Sequence, residues 1–226
     1  MLYGDWHYYL YALPGLLLGL WAQASLKGTF AKYAQVPTAS GVNGQQTAQA
    51  LMQLTGVQVG VNSTPGMLTD FYDPRTKSIS LSQSSVQGSI ASVAVVAHEM
   101  GHAVQDAQGY GPMKLRGAIV PAVQLGAWVG PLLFIGGLLL NMLSLVWVGV
   151  AAFAVAAFFS LCTLPVEFNA SSRGLAMLQQ ARILSPAEIP AARKVLQAAA
   201  LTYVAAAAQS VGQLLYYLAV ANRRRS

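Results

Sequence analysis

Two histidines and a glutamate stand together in Val95-Val96-Ala97-His98-Glu99-Met100-Gly101-His102-Ala103-Val104, an H-E-x-x-H pattern. On a helix, positions i and i+4 lie one turn apart on one face. His98 and His102 can therefore aim both imidazoles at one metal ion. Glu99 then sits beside the ion, where a carboxylate can take a proton from water at an open coordination position. This predicts hydrolysis at zinc with Glu99 as general base. The preceding run Ile90–Ala97 carries no charge, which predicts a buried helix. The competing reading, two surface histidines and a solvated glutamate, is disfavoured by that setting, which would hide three ionisable groups at considerable cost.

A catalytic zinc takes three protein ligands and leaves a fourth position to water. Donors are few: 3 His, 7 Asp and Glu, and 1 Cys. The candidates for the third ligand are His7, Asp5, Asp70, Asp73, Asp106, Glu167, Glu188 and Cys162. His7 and Asp5 precede the first apolar stretch and fall on its far side. Asp106 lies one more turn along the same straight helix and would stretch the site. Glu188 stands between Pro186 and Pro190, where a helix-start charge is the simpler role. Cys162 sits in an apolar run and reads as a small apolar residue. Glu167 remains, just past the third apolar stretch, with Pro165 expected at a helix start. One face of that helix reads Glu167, Ala170, Ser171, Gly174, small enough to let it approach the histidine helix closely. The alternative for Glu167 is a helix cap near lipid headgroups. Tyr72, Tyr110, Asn169 and Arg173 are candidates for transition-state or substrate contacts. Arg173 is preferred for its charge, with a headgroup contact as its alternative. Strand Ser78–Ser82 is expected either to pair with an extended peptide substrate or to be an ordinary sheet strand.

The elements that must position these residues are mostly membrane helices. Of the 226 residues 55% are hydrophobic and only 9% charged, against about 25% charged in an average soluble domain. That excludes an ordinary soluble globule, and the hydrophobicity excludes disorder. One cysteine excludes a disulfide framework. The net charge of +6 does not indicate nucleic acid, because the basic residues are scattered and flank apolar segments. Four stretches approach the roughly 20 residues a span needs: about Tyr8–Leu26, Ala118–Leu140, Leu145–Leu164 and Val195–Ala221. The first lacks the basic start and cleavage site of a secretory signal and is expected to stay as a helix. The second and third form a hairpin around Asn141–Ser144. The segments between spans carry ten Lys and Arg on one side (Lys27, Lys32, Arg75, Lys77, Lys114, Arg116, Arg173, Arg182, Arg193, Lys194) against three in the tail (Arg223, Arg224, Arg225). The positive-inside rule places the larger set in the cytoplasm; the tail argues the other way. Within the polar segment the pattern predicts a helix over Gly44–Leu54 stopped by Gly56. Strands are expected at Val57–Val61, Met67–Tyr72 and Ser78–Ser82, forming an antiparallel sheet, with turns at Asn62–Gly66 and Asp73–Lys77. A helix is expected from Val86 to Ala107.

Four stretches together, Lys32–Pro37, Leu68–Arg75, Ala97–Gln105 and Leu164–Ser171, carry a likeness that extends over nearly the whole chain. The chain resembles the YugP-like membrane zinc metallopeptidases of bacteria, with gluzincin logic. By that resemblance His98, His102 and Glu167 bind zinc and Glu99 is the general base. The chain departs from the family's pattern at Phe71, where a histidine is frequent, and at Asn169, where an aspartate is; those polar groups do not carry over.

The fold class expected is mainly α, a polytopic membrane protein of about four transmembrane helices with a small α+β zincin-like cytoplasmic domain. Its segments are an N-terminal transmembrane helix (1–26), the zincin-like domain with H-E-x-x-H (27–117), a transmembrane hairpin (118–164), a segment with the third ligand (165–194), and a C-terminal transmembrane helix with basic tail (195–226). The expected function is zinc-dependent endopeptidase, with one zinc per chain, multi-pass in the bacterial cytoplasmic (inner) membrane and with its site on the cytoplasmic side. Expected partners are a peptide or protein substrate, the lipid bilayer, and a membrane-protein partner or second copy; nucleic acid is not expected. The competing class is a non-catalytic zinc-stabilised scaffold or accessory subunit, which would want a fourth protein ligand. A transporter would want charges at mid-membrane, which the second and third spans lack.

Overall fold

A computed structural model describes residues 6–224; Asp5, Arg225 and the side chain of His7 lie outside what it describes. Among the described residues the order is α1 (Trp6–Ala34), α2 (Gly44–Thr55), β1 (Gly60–Thr64), β2 (Phe71–Asp73), β3 (Ser78–Ser82), α3 (Ile90–Ala107), α4 (Gly111–Leu139), α5 (Leu143–Gln180) and α6 (Ile189–Arg223). The chain is mainly helical with one small sheet, and α1, α4, α5 and α6 are long and apolar enough to cross a membrane. It divides into two compact units. One holds the chain up to Gln23, Lys114–Leu164 and Thr202 onward; the other holds Ala24–Met113 and Pro165–Leu201.

In the first unit α1 and α6 touch through glycine. A Cβ on Gly15 would lie 2.6 Å from Cα of Gln209, and one on Gly212 would lie 2.4 Å from the carbonyl oxygen of Tyr11. The two helices are therefore antiparallel and packed backbone to backbone, as small residues allow where lipid offers no hydrophobic drive. The hairpin between α4 and α5 turns at Asn141, whose φ is 56°. Arg224 donates to the carbonyl of Leu138 and to Oδ1 of Asn141, so the end of α6 lies at that turn. Trp128 and Leu132 on α4 are 81% and 71% exposed, an outward face suited to acyl chains and costly in water.

The second unit surrounds α3. Asn43 caps α2 in a capping box with Gln46, and Gly56 ends it in the left-handed region, the stop expected there. The expected turn at Asp73–Lys77 also forms, between β2 and β3. The sheet differs from expectation in three ways. Its order is β1-β3-β2, with β1 parallel to β3 and β2 antiparallel to it, so it is mixed. The first strand is Gly60–Thr64, not Val57–Val61: Asn62, Ser63 and Thr64 have turn-like composition, but they match β3 residue for residue from Asn62↔Ser80 to Thr64↔Ser82. A half-exposed edge strand tolerates polar residues, and the pairing overrides local propensity. The second strand is only Phe71–Asp73. β3 is central and buried at all five residues, so β-augmentation by a substrate on Ser78–Ser82 is excluded: both of its edges are already paired.

Helix α3 starts at Ile90 rather than Val86, because Ser89 caps it by accepting from the backbone N–H of Ser92. Its apolar face packs on Leu51, Ile79, Leu81, Leu178 and Leu184 in one core. Pro165 does not start a helix. It lies inside the continuous 38-residue α5. Proline interrupts one backbone hydrogen bond, an interruption that membrane helices accommodate. Glu188 stands just before α6 and accepts the backbone N–H groups of Ala39 and Ser185, both at 2.8 Å. Burial works against its charge, but those hydrogen bonds win and hold its carboxyl below the ordinary value.

Candidate metal centre

His98 and His102 project from α3 and Glu167 from α5, all within the second unit. The two helices come this close because glycine faces carbonyl at both crossings. A Cβ on Gly101 would lie 2.4 Å from the carbonyl oxygen of Ala170, and one on Gly174 would lie 2.8 Å from that of Ala97. The small face Glu167, Ala170, Ser171, Gly174 thus lies against the histidine helix.

Oε2 of Glu167 is 3.1 Å from Nε2 of His98 and 3.4 Å from Nε2 of His102. One donor atom from each residue falls within 4.8 Å of the other two. Donors about 2.0–2.1 Å from a tetrahedral zinc lie about 3.3 Å from one another, so the set fits zinc. Glu167 is 2% exposed. A buried carboxylate without a cation would be costly, and both imidazoles converge on it.

The outer nitrogens of the imidazoles are held as well. Nδ1 of His98 is 3.1 Å from Oγ of Ser171, and Nδ1 of His102 is 3.0 Å from Oε1 of Gln105. The amide orientation of Gln105 is set by its other end: Nε2 donates to the carbonyl of Val166 and to Oδ1 of Asn169. Its oxygen must therefore face His102. An oxygen there accepts only, so Nδ1 of His102 carries the proton and Nε2 presents its lone pair to a metal. Burial opposes protonation of His102. Its hydrogen bond with Glu167 and the charges of Glu99 and Glu167 more than offset that and raise its pKa.

Glu99 is buried beside His102, and its carboxylate makes no hydrogen bond among the described residues. Three of the four other candidates join a chain that leads from His102. Oδ1 of Asn169 accepts from Gln105 and from Nε of Arg173, the latter at 2.6 Å; Nη1 of Arg173 donates to Gln108; and the guanidinium lies 5.8 Å from the Tyr110 ring centroid. Tyr72 is elsewhere: its hydroxyl donates to Asp106 at 2.6 Å, and burial together with that bond raises its pKa. Asp106 is occupied by Tyr72 and Lys77 and does not join the donor cluster. Gln105 and Ser171 are the residues that sequence reasoning missed as partners of the imidazoles. The available signal for Gln105 was its place three residues after His102 on the same helix.

The chain is 42% identical over 210 residues to "Putative membrane protease YugP" of Bacillus subtilis (strain 168), covering 92% of this chain and 93% of that protein. No solved structure shows a significant match. Residues 8–222 match the family described as "Putative neutral zinc metallopeptidase", and the chain belongs to that family.

Proposed function

We propose that the chain is a zinc-dependent endopeptidase of the bacterial cytoplasmic membrane. His98, His102 and Glu167 would hold one zinc per chain, and Glu99 would be the general base. The observation that supports this reading is the pairing of a three-donor cluster with an adjacent glutamate, Glu99, whose side chain is largely buried while its carboxylate oxygens stay open to solvent and make no hydrogen bond among the described residues. Zinc held there would supply a Lewis acid to polarise the scissile carbonyl and acidify water. Glu99, beside His102, would accept a proton from the attacking water on its carboxylate and pass it to the leaving amine. Arg173, fixed by Asn169 and Gln108, is the cation available to steady negative charge on the substrate. Among the described residues no fourth His, Cys, Asp or Glu joins the cluster, which counts against the scaffold reading.

The test compares Glu99→Gln with Glu167→Gln. Glu99→Gln keeps shape and removes the base. It should retain zinc and lose peptide hydrolysis by roughly 100-fold or more. Glu167→Gln replaces an anionic ligand by a weak neutral one and should lower zinc affinity as well. Wild-type hydrolysis by Glu99→Gln would refute the assignment of the base. Proteomics of membrane fractions from cells carrying Glu99→Gln, against wild type, would identify the substrates.

A further inference from the structure

Among the described residues Lys32 and Lys194 pair with no carboxylate. Of the seven Asp and Glu in the chain, six are described, and none of these pairs with either lysine. Asp70 accepts from Ser82, Asp73 pairs with Arg75, and Asp106 pairs with Lys77. Glu167 meets the two imidazoles, Glu188 accepts two backbone N–H groups, and Glu99 is buried beside His102. Neither lysine makes an ion pair or hydrogen bond among the described residues; Lys32 lies over the Tyr33 ring, 5.5 Å from its centroid.

Both lysines, exposed themselves, line one shallow open cavity of about 320 Å³ in the second unit. Its α1 wall presents Ser25, Thr29 and Lys32, at i, i+4 and i+7. Its α6 wall presents Lys194, Gln197 and Leu201, at i, i+3 and i+7. Each set follows one helix face. The side chains of Ser25, Thr29 and Gln197 also make no hydrogen bond among the described residues. Two cations, three hydroxyl-bearing residues (Ser25, Thr29 and Tyr33) and an amide thus share a cavity with no acidic lining residue, which is the chemistry of an anion site. Because α1 and α6 are antiparallel, the lysines fall at one end and Ser25 with Leu201 at the other, about 10 Å away at 1.5 Å per residue. On α1 the chain before Ser25 is an apolar run with Leu16, Leu17, Leu20 and Trp21 exposed. On α6 the chain after Leu201 is likewise apolar, through Val204–Ala208. The cavity therefore stands where two membrane-crossing helices pass from apolar to charged sequence, the depth at which lipid phosphates lie.

We propose that this cavity binds the phosphate of an anionic phospholipid, with Lys32 and Lys194 on its oxygens and Gln197 donating beside them. The site rests on the membrane-crossing helices and is independent of the peptidase reading. Lysine suits it as a compact charge at the interface.

The full chain is tested in nanodiscs of phosphatidylcholine with and without phosphatidylglycerol, counting retained lipid by native mass spectrometry after release into detergent. The wild type should keep one phosphatidylglycerol and no phosphatidylcholine. Lys32→Gln with Lys194→Gln should weaken that retention roughly 30-fold, two interfacial charges being lost. Gln197→Glu keeps both lysines but places a carboxylate among them, and it should expel the lipid too, so the test stands even if the double variant does not fold. Equal retention of phosphatidylglycerol by wild type and either folded variant would overturn the proposal. So would equal retention of both lipids by the wild type. Displacement of the lipid by millimolar inorganic phosphate would assign the site to free phosphate instead.

Discussion

Gln105 controls His102 through the amide end that does not touch it. Its Nε2 is committed to Val166 and Asn169, so its oxygen has no choice of direction, and neither has the imidazole proton. Gln105→Leu keeps the volume and removes both functions. Zinc affinity should fall by about 10- to 100-fold, the usual cost of losing a partner of a metal-binding histidine, while Glu99→Gln should leave it unchanged. Competition with a chelator of known affinity measures both. Wild-type affinity in Gln105→Leu would show that His102 needs no such partner. The donors were legible in the sequence because they are scarce: two of three histidines fall in one motif, and the candidate carboxylates could be weighed one by one. Gln105 was not legible, since its role depends on a backbone carbonyl 61 residues away. Tyr72 shows the converse. Its hydroxyl suited the chemistry by type, and only the fold reveals that Asp106 holds it.

At the scale of elements, the site depends on how closely α3 and α5 approach. Glu167 reaches both imidazoles because Gly101 and Gly174 let each backbone lie against the other. Gly101→Ala puts a methyl group 2.4 Å from the Ala170 oxygen, which backbone can relieve only by moving. It should cost about 1–3 kcal/mol of stability, as overpacking does, and lower zinc affinity by spreading the three donors. Gly28→Ala on α1 is the control: nothing lies within 4 Å of a Cβ there, and alanine favours helix by up to about 1 kcal/mol. Thermal unfolding and zinc titration of the two variants decide this; equal behaviour would show that the glycines are not what brings the helices together. The small face of α5 could be anticipated from its spacing. The run through Pro165 could not, because a proline marks a helix start and a tolerated interior position alike. β1 was displaced for a related reason: Asn62-Ser63-Thr64 carries turn composition, and only its partner β3 makes it a strand.

At the scale of the whole molecule, the basic residues decide which side of the membrane holds each end, and the tail arginines bear on that. Ten basic residues in Lys27–Lys194 favour the cytoplasm for the segments carrying the donors, while Arg223, Arg224 and Arg225 pull the other way. Arg224 has another task. It donates to the Leu138 carbonyl, one of the groups a helix end leaves unpaired, and to Asn141 in the hairpin turn. Its place is thereby accounted for by local hydrogen bonding rather than by orientation. The bias that remains predicts the hairpin turn outside and the donor segments inside. Single cysteines at Asn141 and Gln83, both exposed positions, in a chain with Cys162→Ala test this. An impermeant maleimide should label Asn141→Cys in intact cells and label Gln83→Cys only after the membrane is opened. The reverse pattern would invert the orientation and place Glu99 and its histidines outside the cytoplasm, where a different set of peptides would reach them.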